Sequence, residues 1–328
     1  MRFIVYGVGA IGGTFAASLA LSGQEVVGIA RGRQLEAIRS GGLTMRTPTG
    51  DHRTAFECVG DPSEIDWRDD DVVILTMKAQ DTYEALLRLV DAGVSDQAIV
   101  CGQNGVENER MALRLFPNVY GMTVVLPATY GVAGVVNAFG VPKRGLLYLG
   151  RYPKGLDSVA AAISDGFERA EIACWQVEDT MVLKYGKLVS NVVNIVMAAF
   201  SPGETRDAWR QKVRDEAAEV YEKAGVAWKF VDVTEAKERG IMVDTPIPGV
   251  DRIGSSTMQS LKRDAGSIET DYLNGEIVLM ARSLGIDAPL NRALCRIARD
   301  LVGGRLAPGE VTGEMAEAYV SRTALPTS

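Results

Sequence analysis

Histidine is nearly absent from this chain. Its 328 residues include one, His52, in the polar stretch Thr47-Pro48-Thr49-Gly50-Asp51-His52-Arg53, which reads as a turn or hairpin. A multi-histidine metal site is therefore impossible, no metal is expected, and a Ser-His-Asp triad would have to rest on that one loop residue. Cysteine is scarce as well: Cys58, Cys101, Cys174 and Cys295 are far apart and form no CxxC pair. They read as small buried apolar residues in a reducing compartment. Long apolar runs are missing. The apolar N-terminus is interrupted at Gly7, Gly9, Gly12 and Gly13, which argues against a signal peptide. No other stretch reaches the roughly 18 apolar residues of a membrane span. A cytoplasmic protein with no membrane partner is expected. No Lys/Arg run is present, and 35 basic against 42 acidic residues give a net charge of −7, so no nucleic-acid partner is expected.

What is there is an ordinary globular balance, 47% hydrophobic and 23% charged, in a length that suits two domains. The first half alternates short β-rich runs with helical patterns. Phe3–Tyr6, Glu25–Ala30, Asp71–Thr76, Ala98–Cys101, Val119–Leu126 and Leu146–Gly150 read as strands. Ile11–Ser22, Arg33–Ser40, Thr82–Asp91 and about Glu107–Leu115 read as helices. Such alternation predicts an α/β fold with a Rossmann-like, doubly wound parallel sheet. After about Thr180 helical patterns take over: Met181–Phe200, Glu204–Lys223, Ala236–Val243, Thr257–Leu284 and Asn291–Leu301. The expected division is residues 1–178, a nucleotide-binding domain, and 179–328, an all-helical domain for substrate and dimerisation. The apolar content of the helical half suits a homodimer.

Two patterns carry chemistry. Gly7-Val8-Gly9-Ala10-Ile11-Gly12 matches GxGxxG, directly after a strand and at the opening of a helix. That context is what a dinucleotide site needs: a tight turn, close backbone approach to the pyrophosphate, and close helix–strand packing. The second strand ends Gly28-Ile29-Ala30-Arg31-Gly32-Arg33, where an NAD enzyme usually carries Asp or Glu. A guanidinium suits a 2′-phosphate, so NADP(H) is the expected cofactor and Arg31 its main phosphate contact; a surface charge opening a helix is the alternative. In the first helix of the second half, Lys184, Lys187, Asn191 and Asn194 are spaced 3, 4 and 3 and predict one polar stripe on an otherwise apolar helix. Buried Lys and Asn need partners, which a polar substrate supplies in part, and desolvation lowers a lysine's pKa toward that of a useful proton donor. A solvent-facing stripe is the alternative reading, and the residues alone do not choose between Lys184 and Lys187.

Further short motifs complete a pattern: Met77-Lys78-Ala79, Gln103-Asn104-Gly105, Lys187-Leu188-x-x-Asn191, Ser255-Ser256-Thr257-Met258, and Ile268-Glu269-Thr270-Asp271-Tyr272-Leu273-Asn274-Gly275. With the glycine loop, and in this order, the chain resembles the ketopantoate reductase (2-dehydropantoate 2-reductase) family along essentially its whole length. The resemblance implies hydride transfer from NADPH to the C2 ketone of a 2-oxo acid, a step of pantothenate biosynthesis when that acid is ketopantoate. It implies that Lys187 protonates the carbonyl oxygen and that Glu269 acts near the lysine or on a substrate hydroxyl. Asn104 would touch both cofactor and substrate, and Lys78 would lie beside the cofactor. Asn191 would bind substrate, and Ser256 with Thr257 would hold its carboxylate. Three departures fall in the substrate half. The family's second asparagine position is Ile195, with Asn194 one residue earlier; Thr257 stands for the carboxylate-binding serine; and Ser260 or Leu261 stands for a usual acid. Two further readings therefore stay open. One is a family member that reduces another 2-oxo acid or ketone or oxidises a hydroxy acid. The other is an NADP(H)-binding redox sensor without turnover.

Overall fold

The structure, a computed structural model, describes residues 1–231, 234–251, 254, 256–262 and 268–321; Ser256 and Lys262 are described by their backbone alone. Its first stretch runs β1 (Arg2–Tyr6), α1 (Ala10–Leu21), β2 (Val26–Ile29), α2 (Gly32–Gly41), β3 (Leu43–Thr47), β4 (Gly50–Thr54), β5 (Glu57–Val59), β6 (Asp71–Leu75), α3 (Thr82–Asp91), β7 (Ala98–Cys101), α4 (Asn108–Leu113) and β8 (Val119–Val125). It continues through β9 (Ala128–Val132), β10 (Val135–Ala138), β11 (Gly140–Pro142), β12 (Leu146–Arg151), α5 (Ser158–Arg169) and β13 (Ala173–Gln176). Then come α6 (Thr180–Asn191), α7 (Asn194–Ala199), α8 (Glu204–Ala224), α9 (Thr234–Glu238), β14 (Met242–Asp244), α10 (Ser256–Lys262), α11 (Asn274–Ser283), α12 (Pro289–Val302) and α13 (Gly313–Ser321).

The chain divides into two compact units, Met1–Lys184 with Val231–Arg252, and Tyr185–Phe230 with Ile253–Ser328. In the first unit, eight strands form one sheet in the order β13-β12-β8-β7-β6-β1-β2-β5. All neighbours in it are parallel except β8 and β12. The order reverses at β1, between β2 and β6, which makes β1 the switch point where ligands of doubly wound sheets bind. Strand periodicity supplies the two cores. Phe3 and Val5 pack on one face with Phe15 of α1 and Phe167 of α5. Ile4 and Val73 pack on the other with Leu86 and Leu89 of α3 and Phe116. Arg2 and Asp71, paired in register, close a buried bidentate ion pair at 2.8 and 2.7 Å that ties β1 to β6. A second sheet, β4-β3-β10-β9, lies on α1, and His52 sits in its β3–β4 hairpin, where the sequence expects a turn or hairpin. All four cysteines are buried.

The second unit is helical, with α12 packed against α7, α8, α11 and α13. Gly186 of α6 is required by packing: a Cβ there would run into the carbonyl of Lys229. Four expectations change here. The predicted helix 181–200 is two helices, because Val192 and Val193 form a turn between α6 and α7. The predicted helix 236–243 is a short α9, ended by Gly240 at φ +64°, followed by β14. That strand pairs antiparallel with β11, so 231–252 belongs to the first unit rather than to the helical one, and the main division falls after Lys184 rather than after 178. The predicted helix 257–284 is α10, a 3₁₀ turn Glu269–Tyr272 and α11, with 263–267 outside the described residues. Among the described residues no helix is long and apolar enough to cross a membrane.

Candidate active site

The glycine loop follows β1 at the switch point. Gly7 holds φ +102°, donates its N–H to Ile29 O at 3.0 Å, and leaves room for a Cβ only 2.8 Å from Met77 N. Gly12 sits against the loop: a Cβ there would run into Gly7 O and Thr76 Oγ1. The Thr76 hydroxyl, after β6, reaches Tyr6 O and Gly7 O at 3.0 and 2.8 Å, which fixes the turn from the neighbouring strand. A Cβ on Gly9 would meet nothing within 4 Å, so this is the side from which a ligand can approach the backbone. Gly9 is the N-cap of α1, with no side-chain cap and no acid in the first turn, so the first N–H groups and the positive end of the helix dipole stay available to an anion. Ala10 and Ile11, half-buried, form the first turn, and Val8 is buried, its carbonyl accepting Gln34 Nε2 at 2.9 Å. Gln34 Oε1 in turn accepts Gly134 N at 2.7 Å, so a buried amide clamps the loop to the second sheet. Gly12→Ala is expected to destabilise the fold by about 1–3 kcal/mol, as overpacking does, and to abolish dinucleotide binding. Thermal melting and binding titration check this; wild-type binding by a folded G12A protein would sink it.

Arg31 is the N-cap of α2, at the carboxyl end of β2. Its side chain is 77% exposed and lies 3.9 Å from Asp81, a loose contact that leaves the guanidinium accessible. Lys78, half-buried, opens the 3₁₀ turn Ala79–Asp81 after β6. After β7, the Gln103-Asn104-Gly105 turn is held by side chains whose proton polarity runs one way. Asn108 Nδ2 donates to Asn104 O at 3.0 Å, Thr82 Oγ1 donates to Asn108 Oδ1 at 2.8 Å, and Gln103 Nε2 donates to Thr82 Oγ1 at 3.1 Å. Gln103 is 95% buried, and its Oε1 has no donor among the described residues. The Asn104 side chain, half-buried, is carried on this braced turn. The predicted cofactor residues Gly7 to Gly12, Arg31, Lys78 and Asn104 thus lie on four loops at the carboxyl ends of β1, β2, β6 and β7, with β1, β6 and β7 adjacent.

In the second unit, Lys187 and Asn191 are four residues apart on α6, on one face, and both are half-buried. Asn191 Nδ2 is a buried donor without an acceptor among the described residues. Asn194 opens α7 instead of continuing α6, so the four-residue stripe is divided between two helices. Lys184, one turn earlier on α6, is engaged elsewhere. It is 3% exposed, belongs to the first unit, and gives its ammonium to Glu109 Oε1 and, at 3.0 Å, to Cys101 O. Burial pushes the Glu109 carboxyl up and the lysine opposes that shift. Thr257 is buried on α10, and the Ser256 side chain lies outside the described residues. Glu269, half-buried, begins the 3₁₀ turn rather than sitting within a helix.

A family model described as "Ketopantoate reductase PanE/ApbA" matches residues 3–154, and one described as "Ketopantoate reductase PanE/ApbA C terminal" matches 181–302. The chain belongs to the ketopantoate reductase family. It is thereby a member of an oxidoreductase family. The 2-dehydropantoate 2-reductase of Pyrococcus horikoshii is 26% identical over 314 residues, covering 93% of this chain and 99% of that one. The enzyme of the same name from Archaeoglobus fulgidus is 26% identical over 312 residues, 92% and 98%. A PanE/ApbA family ketopantoate reductase from Ralstonia eutropha superposes with a TM-score of 0.76 at 27% identity, over 93% and 99% of the two chains. D-mandelate dehydrogenase, solved with NADH and anilino(oxo)acetate, shares the fold at a TM-score of 0.74 and 20% identity, over 93% and 99%.

For this family member, reading along the sequence overlooked the partner of Lys184 and the braces behind the motifs. Gln103, Thr82 and Asn108 support Asn104, and Asn274, within the Glu269–Gly275 motif, donates from Nδ2 to Val192 O at 2.9 Å. The available signal was an amide at a position that a helix fills better with Ala or Leu.

Proposed function

We propose that this chain reduces the C2 ketone of a 2-oxo acid with NADPH, ketopantoate being the first substrate to test. The observation that carries the reading is the pair Lys187 and Asn191 on one face of α6, in a chain of this family: a cation and an amide donor on a largely apolar helix. The residues of the first unit fit a nicotinamide dinucleotide. The glycine cradle tolerates no Cβ at Gly7 or Gly12, α1 presents an uncapped N-terminus, and β2 ends without a carboxylate. Gly7 to Gly12 would hold the pyrophosphate, Arg31 the 2′-phosphate, and Lys78 and Asn104 the nicotinamide end. When bound, the cofactor supplies a hydride to the carbonyl carbon.

The protein's own part is a proton and a grip. Lys187 Nζ gives a proton to the carbonyl oxygen as it gains charge, so the ketone becomes a hydroxyl and no free alkoxide forms. Asn191 Nδ2 donates to a substrate oxygen, Asn194 adds a second amide, and the hydroxyls of Ser256 and Thr257 hold the carboxylate. Glu269 holds Lys187 or a substrate hydroxyl. The departures at Asn194, Ile195 and Thr257 favour a second reading of the same chemistry, a 2-oxo acid whose side chain differs from that of ketopantoate.

The test is loss of nicotinamide absorbance with NADPH, and separately NADH, over ketopantoate and a panel of 2-oxo acids that includes an aromatic one. NADPH should be preferred, and Arg31→Ala should raise its KM about ten- to a hundredfold while leaving that of NADH unchanged. Preference for NADH, indifferent to Arg31→Ala, removes the phosphate assignment. Tight NADPH binding without turnover of any 2-oxo acid removes the reductase assignment and favours a sensor.

A further inference from the structure

In the second unit, three polar side chains from three helices, two of them buried, form one hydrogen-bonded relay. Glu216 of α8 caps α12: its Oε1 accepts Leu290 N at 2.9 Å, and its Oε2 accepts Asn291 N at 2.8 Å. Oε2 also accepts Asn291 Nδ2 at 2.7 Å, and Val213 O lies 3.4 Å from the same nitrogen. Two acceptors therefore face one end of the Asn291 amide and fix its orientation, so Asn291 Oδ1 points the other way. Asn274, at the start of α11, meets that oxygen with Nδ2 at 2.9 Å and sends its second amide proton to Val192 O, also at 2.9 Å. Asn291 is fully buried and Asn274 is 99% buried, so water does not replace these partners. Val192, with Val193, forms the turn between Asn191, which ends α6, and Asn194, which begins α7. The only polarity that satisfies the relay places a donor at that turn.

We infer that Asn274, oriented through Asn291 by Glu216, is a positioning residue that sets the α6–α7 turn and with it the relation of Asn191 to Asn194, the two amides that take the substrate. This rests on the functional reading above for those two residues. Asn274 and Asn291 are buried in the second unit and the residues assigned to the dinucleotide belong to the first, so loss of the relay should show in substrate KM and leave the dinucleotide site alone.

The test compares steady-state kinetics, NADPH affinity and thermal melting in the full chain. Asn274→Leu keeps the branching of the side chain and removes the donor. It should raise KM for the 2-oxo acid about tenfold, lower kcat less, and leave NADPH Kd unchanged. It should also lower stability, because Asn291 Oδ1 is orphaned. Adding Asn291→Ala removes that orphan and offsets the added volume but leaves Val192 O without its donor, so the double variant should recover part of the melting temperature while KM stays raised. Recovery of KM together with stability would show a merely structural role and overturn the inference, as would an unchanged KM in Asn274→Leu. Asn191→Ala separates the two levels: if it leaves KM unaltered, the substrate assignment itself fails; if it raises KM and Asn274→Leu does not, only the relay fails.

Discussion

Replacing Lys187 by alanine is expected to lower turnover of the 2-oxo acid by about 10²- to 10⁴-fold, the usual contribution of a positioned general acid, while the affinity for NADPH stays at its wild-type value. The expectation rests on where the two lysines of α6 go. Lys184 is enclosed and its ammonium is given to Glu109 and to Cys101 O, whereas Lys187 is half-buried one turn further on, beyond the division between the units. Lys184 is closed off from solvent and committed to those two partners, whereas Lys187 is partly accessible. Lys187→Arg sharpens the test, because a guanidinium keeps the charge but is not deprotonated in proteins and makes a poor proton donor. If charge alone matters, Lys187→Arg retains most activity; if proton donation matters, it falls with Lys187→Ala. Turnover that survives in Lys187→Ala, or NADPH binding that fails with it, removes the assignment. Intact binding with lost turnover also counts against a pure sensor, which needs no proton donor.

The parts of this molecule that were legible in its sequence are those specified locally. The residues Thr82–Asp91 and Ala98–Cys101 carry their own periodicity and form α3 and β7 with those bounds. The glycine loop is legible because Gly7 and Gly12 each answer a clash with a residue of the same βαβ unit or its neighbouring strand, while Gly9 leaves its side of the loop open. The parts that were not legible depend on distant partners. Nothing in Val-Leu-Lys-Tyr-Gly-Lys-Leu-Val-Ser-Asn-Val-Val-Asn announces a turn at Val192; its carbonyl is held by Asn274, 82 residues away. Lys184 and Lys187 share a helical face in the sequence, and what separates them is Glu109, 75 residues before Lys184. β14 reads as the end of a helix because Met242 and Val243 are apolar; its strand pairing is with β11, 100 residues earlier. By contrast α5 carries a local start signal, an Asp157 side chain that accepts Ala160 N at 2.8 Å ahead of an apolar helical period. The site follows the same division: its motifs are local, and the hydrogen bonds that aim them are not.

Lys184→Met is expected to destabilise the protein by about 3–5 kcal/mol, and Glu109→Leu by a similar amount, because each leaves the other charge buried without its partner. Both side chains are essentially inaccessible, at 3% and 0% exposure. Glu109 Oε2 already has no donor among the described residues, so Lys184 is the carboxylate's sole compensating charge there. Removing the lysine leaves a desolvated carboxyl beside the buried thiol of Cys101, whose own pKa burial raises well above its ordinary value. Removing the carboxylate leaves an ammonium with one backbone carbonyl, Cys101 O at 3.0 Å. The double variant Lys184→Met/Glu109→Leu removes both desolvation costs and fills similar volume, so it should recover most of the loss and approach the wild-type denaturation midpoint. Urea unfolding of the two single variants and the double variant checks this, with the coupling read from the cycle. Additive losses would show that the ion pair is not the unit of stability. The same set tests the choice of proton donor from the other side. The double variant, once folded, should retain turnover, since neither group is assigned a part in the chemistry. A stable double variant without turnover, beside an active Lys187→Ala, would exchange the roles of the two lysines.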